Sequence, residues 1–276
     1  MRIAVTGGNG RLGRALVPYL IDQGHTVVSI DRTLPEMTWP SSANQPIFQV
    51  ADTRNVGEFV ACLRGCDALI HLAAFAGPNN HPDTVVYADN TIGSYNALSA
   101  AAMLGIDRVC LASSINAIGG VYSRSPRYDY FPLNEQHPTY AEDPYSLSKW
   151  VLEQQADAFA RRYETMTIAS MRFHWLIASE EEAQKNTAAA GAVAARHLWG
   201  FTLMGEACRA CLLALAAPFS GHEVFYIVAP RTALNQPSRE LAEHSYPETP
   251  IQGEFTERAG FFDCSKAERI LGWKHA

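Results

Sequence analysis

Three glycines near the N-terminus, Gly7, Gly10 and Gly13, constrain this sequence more than any other feature. They follow a short β-branched run and lie directly before a segment with helical character. In this context the first glycine allows a tight turn, the second lets the backbone approach a pyrophosphate, and the third lets the helix pack close to the strand. The start of the helix favours the negative charge of such a group. We therefore predict a strand, a dinucleotide-binding loop and a helix over residues 11–23.

Strand and helix signals alternate along most of the chain. Strands are predicted at residues 2–6, 25–30, 47–50, 68–72, 108–112 and 167–171. Helices are predicted at residues 11–23, 56–63, 85–104 and 145–163. Such alternation indicates βαβ units with right-handed crossovers and a parallel sheet covered on both faces. The expected fold class is therefore α/β, with a Rossmann-type doubly wound parallel sheet.

The pattern becomes looser after the sixth predicted strand. A largely helical stretch at residues 187–217, a strand at 223–228 and a short helix at 265–271 are predicted there. We expect residues 1–172 to form the nucleotide-binding domain. Residues 173–276 are expected to form a small C-terminal substrate lobe that partly returns to the Rossmann core.

An acidic residue, Asp31, closes the second predicted strand at the distance expected of a dinucleotide-binding unit. Its carboxylate can accept hydrogen bonds from both adenosine ribose hydroxyls and would repel a 2′-phosphate, which favours NAD over NADP. Arg32 leaves NADP open, since a neighbouring guanidinium could accommodate that phosphate. Asp52, after the third strand, is interpreted either as an adenine contact or as the cap of the next helix.

Charge, hydropathy and cysteine placement exclude several other classes of function. The net charge of −6 comes without a basic cluster, so we expect no nucleic-acid partner. Apolar runs such as residues 68–76 are far shorter than the roughly 20 residues of a membrane span, so no membrane partner is expected. The strand signal begins at once, without a secretory segment, which predicts a cytoplasmic protein. The six cysteines are scattered and complete no tetrahedral set, so no metal site is predicted.

Four further motifs occur in a fixed order along the chain. They are HLAA at residues 71–74, ASSINAIG at 112–119, PYSLSK at 144–149, and a C-terminal stretch at 263–273 that ends in LGW. Together with the glycine spacing, these motifs resemble the extended short-chain dehydrogenase/reductase family, also called the NAD-dependent epimerase/dehydratase family. The resemblance spans nearly the whole chain. It implies NAD as the cofactor and a small molecule as the substrate.

The resemblance implies Ser114, Tyr145 and Lys149 as the catalytic residues. Tyr145 and Lys149 are four residues apart on one predicted helix and therefore share a face. A free tyrosine, with a pKa near 10, is a poor base at neutral pH, and we expect the Lys149 ammonium and an oxidised nicotinamide to lower this pKa. Tyr145 would then take a proton from the substrate hydroxyl while Ser114 holds the substrate oxygen. Lys149 would also bind the nicotinamide ribose, and Ser113 is the less favoured of the two serines.

The remaining predicted contacts follow from the fingerprint and from the resemblance. The expected NAD contacts are Gly7, Asn9, Gly10, Arg11, Leu12, Gly13, Asp31, Asp52, Leu72, Ala73, Ala74, Asn90, Tyr145, Lys149 and Phe173. The expected substrate contacts are Phe75, Ser114, Ile115, Asn116, His174 and Arg196. His174 is also considered as an acid–base group. Arg196 is interpreted either as a clamp on a substrate carboxylate or as a solvated helix arginine.

The chain length resembles that of the uronate dehydrogenases of the family, which oxidise a free hexuronic acid with NAD. We therefore expect hydride transfer at a secondary alcohol or ketone of a small polyhydroxylated substrate, such as a sugar or sugar acid. A sugar or nucleotide-sugar epimerase or dehydratase with tightly bound NAD is one alternative. A non-catalytic cofactor-sensing regulatory protein is another. The segment 122–140 is interpreted as a lid or a surface loop, and the resemblance implies a homodimer through helices 85–104 and 145–163.

Overall fold

A seven-stranded sheet forms the centre of the protein. The computed structural model describes residues 1–36, 45–253 and 255–275 of the 276-residue chain. The strands are β1 (Arg2–Thr6), β2 (Thr26–Asp31), β3 (Ile47–Val50), β4 (Ala68–His71), β5 (Arg108–Ser114), β6 (Thr167–Phe173), β7 (Leu176–Ile177), β8 (Thr202–Leu203) and β9 (Gly221–Ile227). The sheet order is β3-β2-β1-β4-β5-β6-β9, and every neighbouring pair is parallel. The strand order reverses between β1 and β4, where α/β proteins of this type bind their ligands. The predicted fold class is confirmed.

Helices cover both faces of this sheet. They are α1 (Gly13–Asp22), α2 (Val56–Leu63), α3 (Asp83–Leu104), α4 (Pro144–Arg162), α5 (Glu180–Ala190), α6 (Met204–Ala216), α7 (Ser238–Ser245) and α8 (Ser265–Leu271). On one face, α1, α6 and α8 bury residues such as Leu16, Cys211 and Leu271 against the strands. On the other face, α2, α3 and α4 bury residues such as Phe59 and Leu98. The two apolar layers explain why the central strands read as continuous hydrophobic runs.

Two strands extend further than the sequence predicts. β5 continues to Ser114 and β6 to Phe173, and the added residues stay paired, Ser113 with Arg172 and Ser114 with Phe173. The prediction ended these strands at residues 112 and 171, directly before the polar residues Ser113 and Arg172. Both of these polar side chains are hydrogen-bonded to Glu153, which allows the strands to continue through buried space. As a result, Ser114 lies at the carboxyl edge of the sheet.

The prediction of a largely helical stretch at residues 187–217 is wrong in its middle. Helix α5 ends at Ala190, a 3₁₀ turn covers Gly191–His197, and β8 pairs with β7 before α6 begins. The 3₁₀ turn ends at Leu198 and Trp199, which both have positive φ angles, of 51° and 50°. Strand β9, from the C-terminal region, pairs with β6 at the edge of the main sheet.

The segment 122–140 packs against the C-terminal region above the sheet. Phe131 and Leu133 are fully buried and form backbone bridges to Ile251 and Phe262. The ring of Phe131 also lies edge-on to the ring of Phe261, with their centres 4.9 Å apart. This third apolar cluster holds the segment in place, so most of it is neither a free lid nor a loose surface loop.

Among the residues that the structure describes, no helix combines the length and the hydrophobicity that a membrane span requires.

Candidate active site

The glycine loop lies at the carboxyl edge of the sheet, between β1 and α1. Gly7 has a φ of +69°, and a Cβ there would lie 2.8 Å from the backbone nitrogen of Ala73. A Cβ on Gly13 would lie 2.2 Å from the carbonyl oxygen of Gly7. The Thr6 hydroxyl accepts hydrogen bonds from the backbone amides of Leu72 and Ala73, each at 3.2 Å. The loop is therefore held closely against the end of β4, with space that side chains would otherwise fill.

A cavity of about 300 Å³ opens beside this loop, at the ends of β1, β2 and β4. It is lined by the predicted NAD contacts Gly7, Asn9, Gly10, Asp31, Asp52, Leu72, Ala73, Ala74 and Asn90, and by Phe75. The Asp31 carboxylate accepts hydrogen bonds from the amides of Asn9 (2.8 Å) and Arg32 (2.7 Å). These bonds orient the Asp31 carboxylate at the edge of the cavity, where it could still accept from ribose hydroxyls. The residues present fit the adenosine half of NAD.

Asp52 was interpreted from the sequence as an adenine contact or as the cap of α2, and its carboxylate binds Arg54. Arg54 binds the Asp52 carboxylate through its side-chain Nε and Nη2, the closest contact being 2.7 Å. The cap of α2 is Asn55, whose side chain accepts from the amides of Gly57 and Glu58. The helix-cap interpretation of Asp52 is therefore wrong, while its carboxylate does line the cavity.

A second cavity, of about 540 Å³, continues from the first along the sheet edge. The two cavities share Gly7, Gly10, Leu72 and Ala74. The second is lined by the predicted residues Arg11, Leu12, Gly13, Ser114, Ile115, Asn116, Tyr145, Lys149, Phe173 and His174. The structure thus brings the three predicted catalytic residues into one groove with the glycine loop.

The start of α4 positions the tyrosine and the lysine. Asp143 caps this helix, since its carboxylate accepts from the amides of Tyr145 (3.0 Å) and Ser146 (2.9 Å). One turn later, the Lys149 ammonium donates to the carbonyl oxygen of Ala112 in β5, at 2.8 Å. The Lys149 nitrogen lies 5.6 Å from the centre of the Tyr145 ring. Both side chains are buried and face the end of β5.

Burial dominates the titration of this pair. It raises the pKa of Tyr145 to about 12, although a hydrogen bond with Ser114 acts in the opposite direction. Burial also lowers the pKa of Lys149 to about 8, against the opposing effect of Glu153. The expectation that Lys149 lowers the pKa of Tyr145 is therefore not met in this structure. Removal of the phenol from water disfavours its ionised form, and the ammonium is directed at a backbone carbonyl instead.

Asn90 connects three parts of the site. Its side-chain oxygen accepts from the amide of Phe75 (2.8 Å), and its nitrogen donates to the carbonyl of Phe75 (3.2 Å) and to the hydroxyl of Ser148 (3.0 Å). Asn90 therefore ties α3 and α4 to the loop after β4. Phe75, predicted as a substrate contact, lines the adenosine cavity instead.

His174 lines the substrate end but is a poor candidate for proton transfer. Its Nδ1 accepts from the amide of Trp175 (2.6 Å), which leaves the hydrogen on Nε2 to donate to the carbonyl of His197 (2.8 Å). Burial lowers the pKa of His174 to about 3. With both nitrogens engaged and the ring held neutral, the acid–base interpretation has no support in the structure.

Arg196 is the one predicted contact that lines neither cavity. Its guanidinium donates to the carbonyl oxygen of Ser123, at 3.1 Å. Its own carbonyl accepts from the hydroxyl of Tyr128, at 3.0 Å. These contacts hold the 3₁₀ turn against the segment 122–140, so Arg196 is positioned as a structural contact.

Several residues at the substrate end were not predicted. They are Val121, Trp175, Leu176 and His197, and they lie with Tyr122 of the segment 122–140, which was interpreted as a lid or a surface loop. The Tyr122 ring lies edge-on to that of Tyr145, with centres 5.8 Å apart and planes at 89°. The rings of Trp175 and His197 are stacked, with centres 5.8 Å apart and planes at 24°. Tyr122, Trp175 and His197 thus add aromatic surface to the cavity that contains the catalytic residues.

A model of the NAD-dependent epimerase/dehydratase family matches residues 3–227. The chain belongs to this family. The match begins in β1 and ends with β9, so it includes the glycine loop, Ser114, Tyr145 and Lys149. The predictions of the family, of an enzyme and of NAD as the cofactor are confirmed.

Several curated proteins match parts of the chain. An uncharacterized protein of Mycobacterium tuberculosis is 41% identical over 114 residues, which are 41% of this chain and 12% of that protein. The dTDP-6-deoxy-L-talose 4-dehydrogenase (NAD(+)) of Aggregatibacter actinomycetemcomitans is 27% identical, over 64% of this chain and 62% of its own length. The L-arabinose 1-dehydrogenase (NAD(P)(+)) of Haloferax volcanii is 29% identical, over 67% and 70%. The chain thus spans a small part of the mycobacterial relative and under two thirds of the talose dehydrogenase.

Solved structures share the fold over the whole chain. The UDP-glucose 4-epimerase of Thermotoga maritima, solved with UDP-glucose, has a TM-score of 0.72 at 22% identity, covering 100% of this chain and 94% of that one. The uronate dehydrogenase of Agrobacterium tumefaciens has a TM-score of 0.71 at 21% identity, covering 100% and 84%. At this level of identity the match concerns the fold alone.

Proposed function

We propose that the protein is an NAD-dependent oxidoreductase that acts at a secondary alcohol or ketone of a small polyhydroxylated substrate. The observation that carries this proposal is the common groove of Ser114, Tyr145 and Lys149, which continues into the adenosine cavity beside the glycine loop. Hydrogen-bonding groups and an ionisable phenol thus lie where the reacting end of a bound dinucleotide would reach.

Each of the three residues has a distinct role in this proposal. Bound NAD supplies the hydride acceptor or donor. Tyr145 takes the proton from the substrate hydroxyl during oxidation and returns it during reduction. Ser114 holds the substrate oxygen, and Lys149 holds the nicotinamide ribose. Tyr145, whose pKa burial raises to about 12, would ionise more readily beside the positive charge of a bound oxidised nicotinamide.

The substrate end favours a neutral polyhydroxylated molecule. Tyr122, Trp175 and His197 provide aromatic surface against which the saturated ring of a sugar could pack. Asn116 provides an amide that could hydrogen-bond to its hydroxyls. Among the described residues of this cavity, the arginine and lysine side chains are Arg11, beside the glycine loop, and Lys149. Since Arg196 lies elsewhere, the contacts support a sugar better than a sugar acid.

The L-arabinose 1-dehydrogenase among the relatives is consistent with this choice of substrate, whereas the talose dehydrogenase is named for a nucleotide-linked sugar. An epimerase or dehydratase that regenerates its NAD in each cycle is the second candidate, and the description of the family favours it. A non-catalytic cofactor sensor is less favoured, because Tyr145 and Lys149 are both present and buried together.

A substrate panel tests the proposal and separates the candidates. The protein is incubated with NAD and with aldoses, sugar acids and nucleotide sugars, and the absorbance of NADH is followed. We expect net NADH with one or more neutral aldoses. Conversion of a sugar to an isomer or dehydrated product without net NADH would replace the proposal with the second candidate. Binding of NAD without conversion of any compound would favour the sensor.

A homodimer through α3 and α4 also remains part of the proposal. The outer face of α3 exposes Ile92, Tyr95 and Met103 by 45%, 49% and 69%. These side chains are spaced by three and eight residues, so they form an apolar stripe along one side of the helix. Burial of this stripe against a second copy would remove it from water.

A further inference from the structure

Two arginines at the adenosine end are held by a single aspartate. Asp89, on α3, lies 3.5 Å from the Nη2 of Arg32 and 3.2 Å from the Nη1 of Arg54. The Asp89 side chain is only 10% exposed, whereas those of Arg32 and Arg54 are 52% and 48% exposed. All three residues line the adenosine cavity, together with Asp31 and Asp52. A well-buried anion thus fixes two guanidinium groups that would otherwise reach freely into the cavity mouth.

These arginines are the groups that could recognise a 2′-phosphate. A guanidinium binds phosphate through two parallel hydrogen bonds, provided that its donors are free. Here Arg54 already binds the carboxylate of Asp52, at 2.7 Å, in addition to Asp89. Arg32 binds Asp89 and lies over the ring of Phe75, 5.4 Å from its centre. The donors of Arg54 are therefore engaged by two carboxylates, while Arg32 is held more loosely by one ion pair and one ring contact.

The charge balance at the adenosine end of the site also disfavours a 2′-phosphate. Asp31, Asp52 and Asp89 bring three carboxylates to the cavity, against the two guanidinium groups of Arg32 and Arg54. A 2′-phosphate would add a further negative charge to a site that already has an excess of carboxylate. Ribose hydroxyls, in contrast, are neutral and can donate to Asp31.

We infer that Asp89 is a cofactor-specificity residue, which restrains Arg32 and Arg54 in ion pairs and thereby excludes the 2′-phosphate of NADP. Asp31 alone leaves the choice of cofactor open, because a guanidinium directly follows it in the sequence. Asp89 favours NAD over NADP because its carboxylate forms an ion pair with the guanidinium of Arg32. This inference rests on NAD binding and not on the identity of the substrate, so it can fail or hold independently of the chemistry at Tyr145.

The test compares two probes of the adenosine end by titration calorimetry. ADP represents NAD, and 2′,5′-ADP represents the phosphorylated half of NADP. In Asp89→Asn, the preference for ADP over 2′,5′-ADP should fall by about tenfold, the size expected when one charge close to the bound phosphate is removed. Asp83→Asn, in the exposed first turn of the same helix, is the matched control and should keep the wild-type preference. An unchanged preference in Asp89→Asn, with ADP still bound, would overturn the inference.

Two further variants separate restraint from simple repulsion. Asp89→Asn should bind 2′,5′-ADP more tightly because it releases the two guanidinium groups. Adding Arg32→Ala and Arg54→Ala to Asp89→Asn should therefore abolish this gain in 2′,5′-ADP binding. If the gain persists without them, Asp89 acts only as a repelling charge and the inference is wrong. In the wild-type background, Arg32→Ala with Arg54→Ala should change the preference by less than about threefold, since Asp89 already holds both guanidinium groups in ion pairs. A larger loss of 2′,5′-ADP binding would show that they are free, even if Asp89→Asn does not fold.

Discussion

Glu153 and Arg172 form a buried, two-point ion pair directly beneath the candidate active site. The Nε and Nη2 of Arg172 lie 2.9 Å and 2.8 Å from the two carboxylate oxygens of Glu153, and both side chains are at most 5% exposed. Ser113 donates a further bond to Glu153, at 2.6 Å, and Arg172 donates to the hydroxyl of Tyr226, at 3.2 Å. The pair therefore joins α4 to β5, β6 and β9 one turn after Lys149.

Removal of one partner of this pair should be strongly destabilising. In Glu153→Gln, Arg172 keeps its charge in a buried position without a counter-ion, which should lower the free energy of unfolding by about 3–5 kcal/mol. Urea denaturation measures this loss. Glu164→Gln, at an exposed position just after α4, is the control and should stay within about 0.5 kcal/mol of the wild type. A loss of less than 1 kcal/mol, roughly, in Glu153→Gln would show that the pair is not isolated from water.

His71 should make the stability of the protein dependent on pH. It is buried against Thr6, and burial, with a smaller effect of the Lys149 ammonium, lowers its pKa from 6.5 to about 3. Between these two pH values the unfolded chain binds a proton that the folded chain does not bind. The free energy of unfolding therefore decreases as the pH falls from 6.5 toward 3, by up to about 1.4 kcal/mol per pH unit.

The variant His71→Asn tests this dependence. It should be less stable than the wild type near neutral pH, but should lose less further stability on acidification to about pH 4. Urea denaturation at several pH values gives the two slopes. His81→Asn, at an exposed position, should retain the wild-type slope. Equal slopes for His71→Asn and the wild type would mean that His71 does not contribute to acid sensitivity.

Ser114 should affect turnover more than binding. Its hydroxyl bonds to Tyr145 and accepts from the amide of Asn116, at 3.1 Å, at the end of β5. Ser114→Ala removes a group that stabilises charge on the substrate oxygen, so kcat should fall by about a hundredfold while NAD affinity changes little. Ser125→Ala, at an exposed position in the segment 122–140, should have the wild-type kcat. A fall in NAD affinity that accounts for the whole effect would argue against this role.

The proposed dimer can be tested through the apolar stripe on α3. Ile92→Glu combined with Tyr95→Glu places two charges on this stripe, and light scattering should then report the mass of a single chain instead of twice that mass. Val193→Glu changes a residue that is 52% exposed elsewhere on the surface, and this variant should remain dimeric. A wild-type protein that is monomeric at all concentrations would rule out the dimer.

Much of the fold was predictable because its signals are local. The Gly7–Gly13 spacing, the alternating strands and helices, and the four-residue spacing of Tyr145 and Lys149 each lie within a few residues of sequence. The extension of β5 and β6 was not predictable in this way. It depends on Glu153 from another helix, which compensates the buried polar groups of Ser113 and Arg172.

The substrate end of the site was the least predictable part, for the same physical reason. Tyr122, Trp175 and His197 come from three separate segments, and only the tertiary fold brings them to one cavity. Asp89 similarly meets Arg32 across a long stretch of chain, although its position directly before Asn90 was a usable signal. His174 and Arg196 were chosen for their side-chain chemistry, which gave no information about the backbone carbonyls that engage them.

The central claim, that Tyr145 is the general base, is tested most directly by the turnover of Tyr145→Phe with a substrate identified from the panel. This variant keeps the ring and removes the hydroxyl, so kcat should fall by about a hundredfold or more while NAD still binds. Tyr163→Phe, at the far end of the same helix, should retain the wild-type kcat. A near-wild-type kcat in Tyr145→Phe, with NAD bound, would contradict the account.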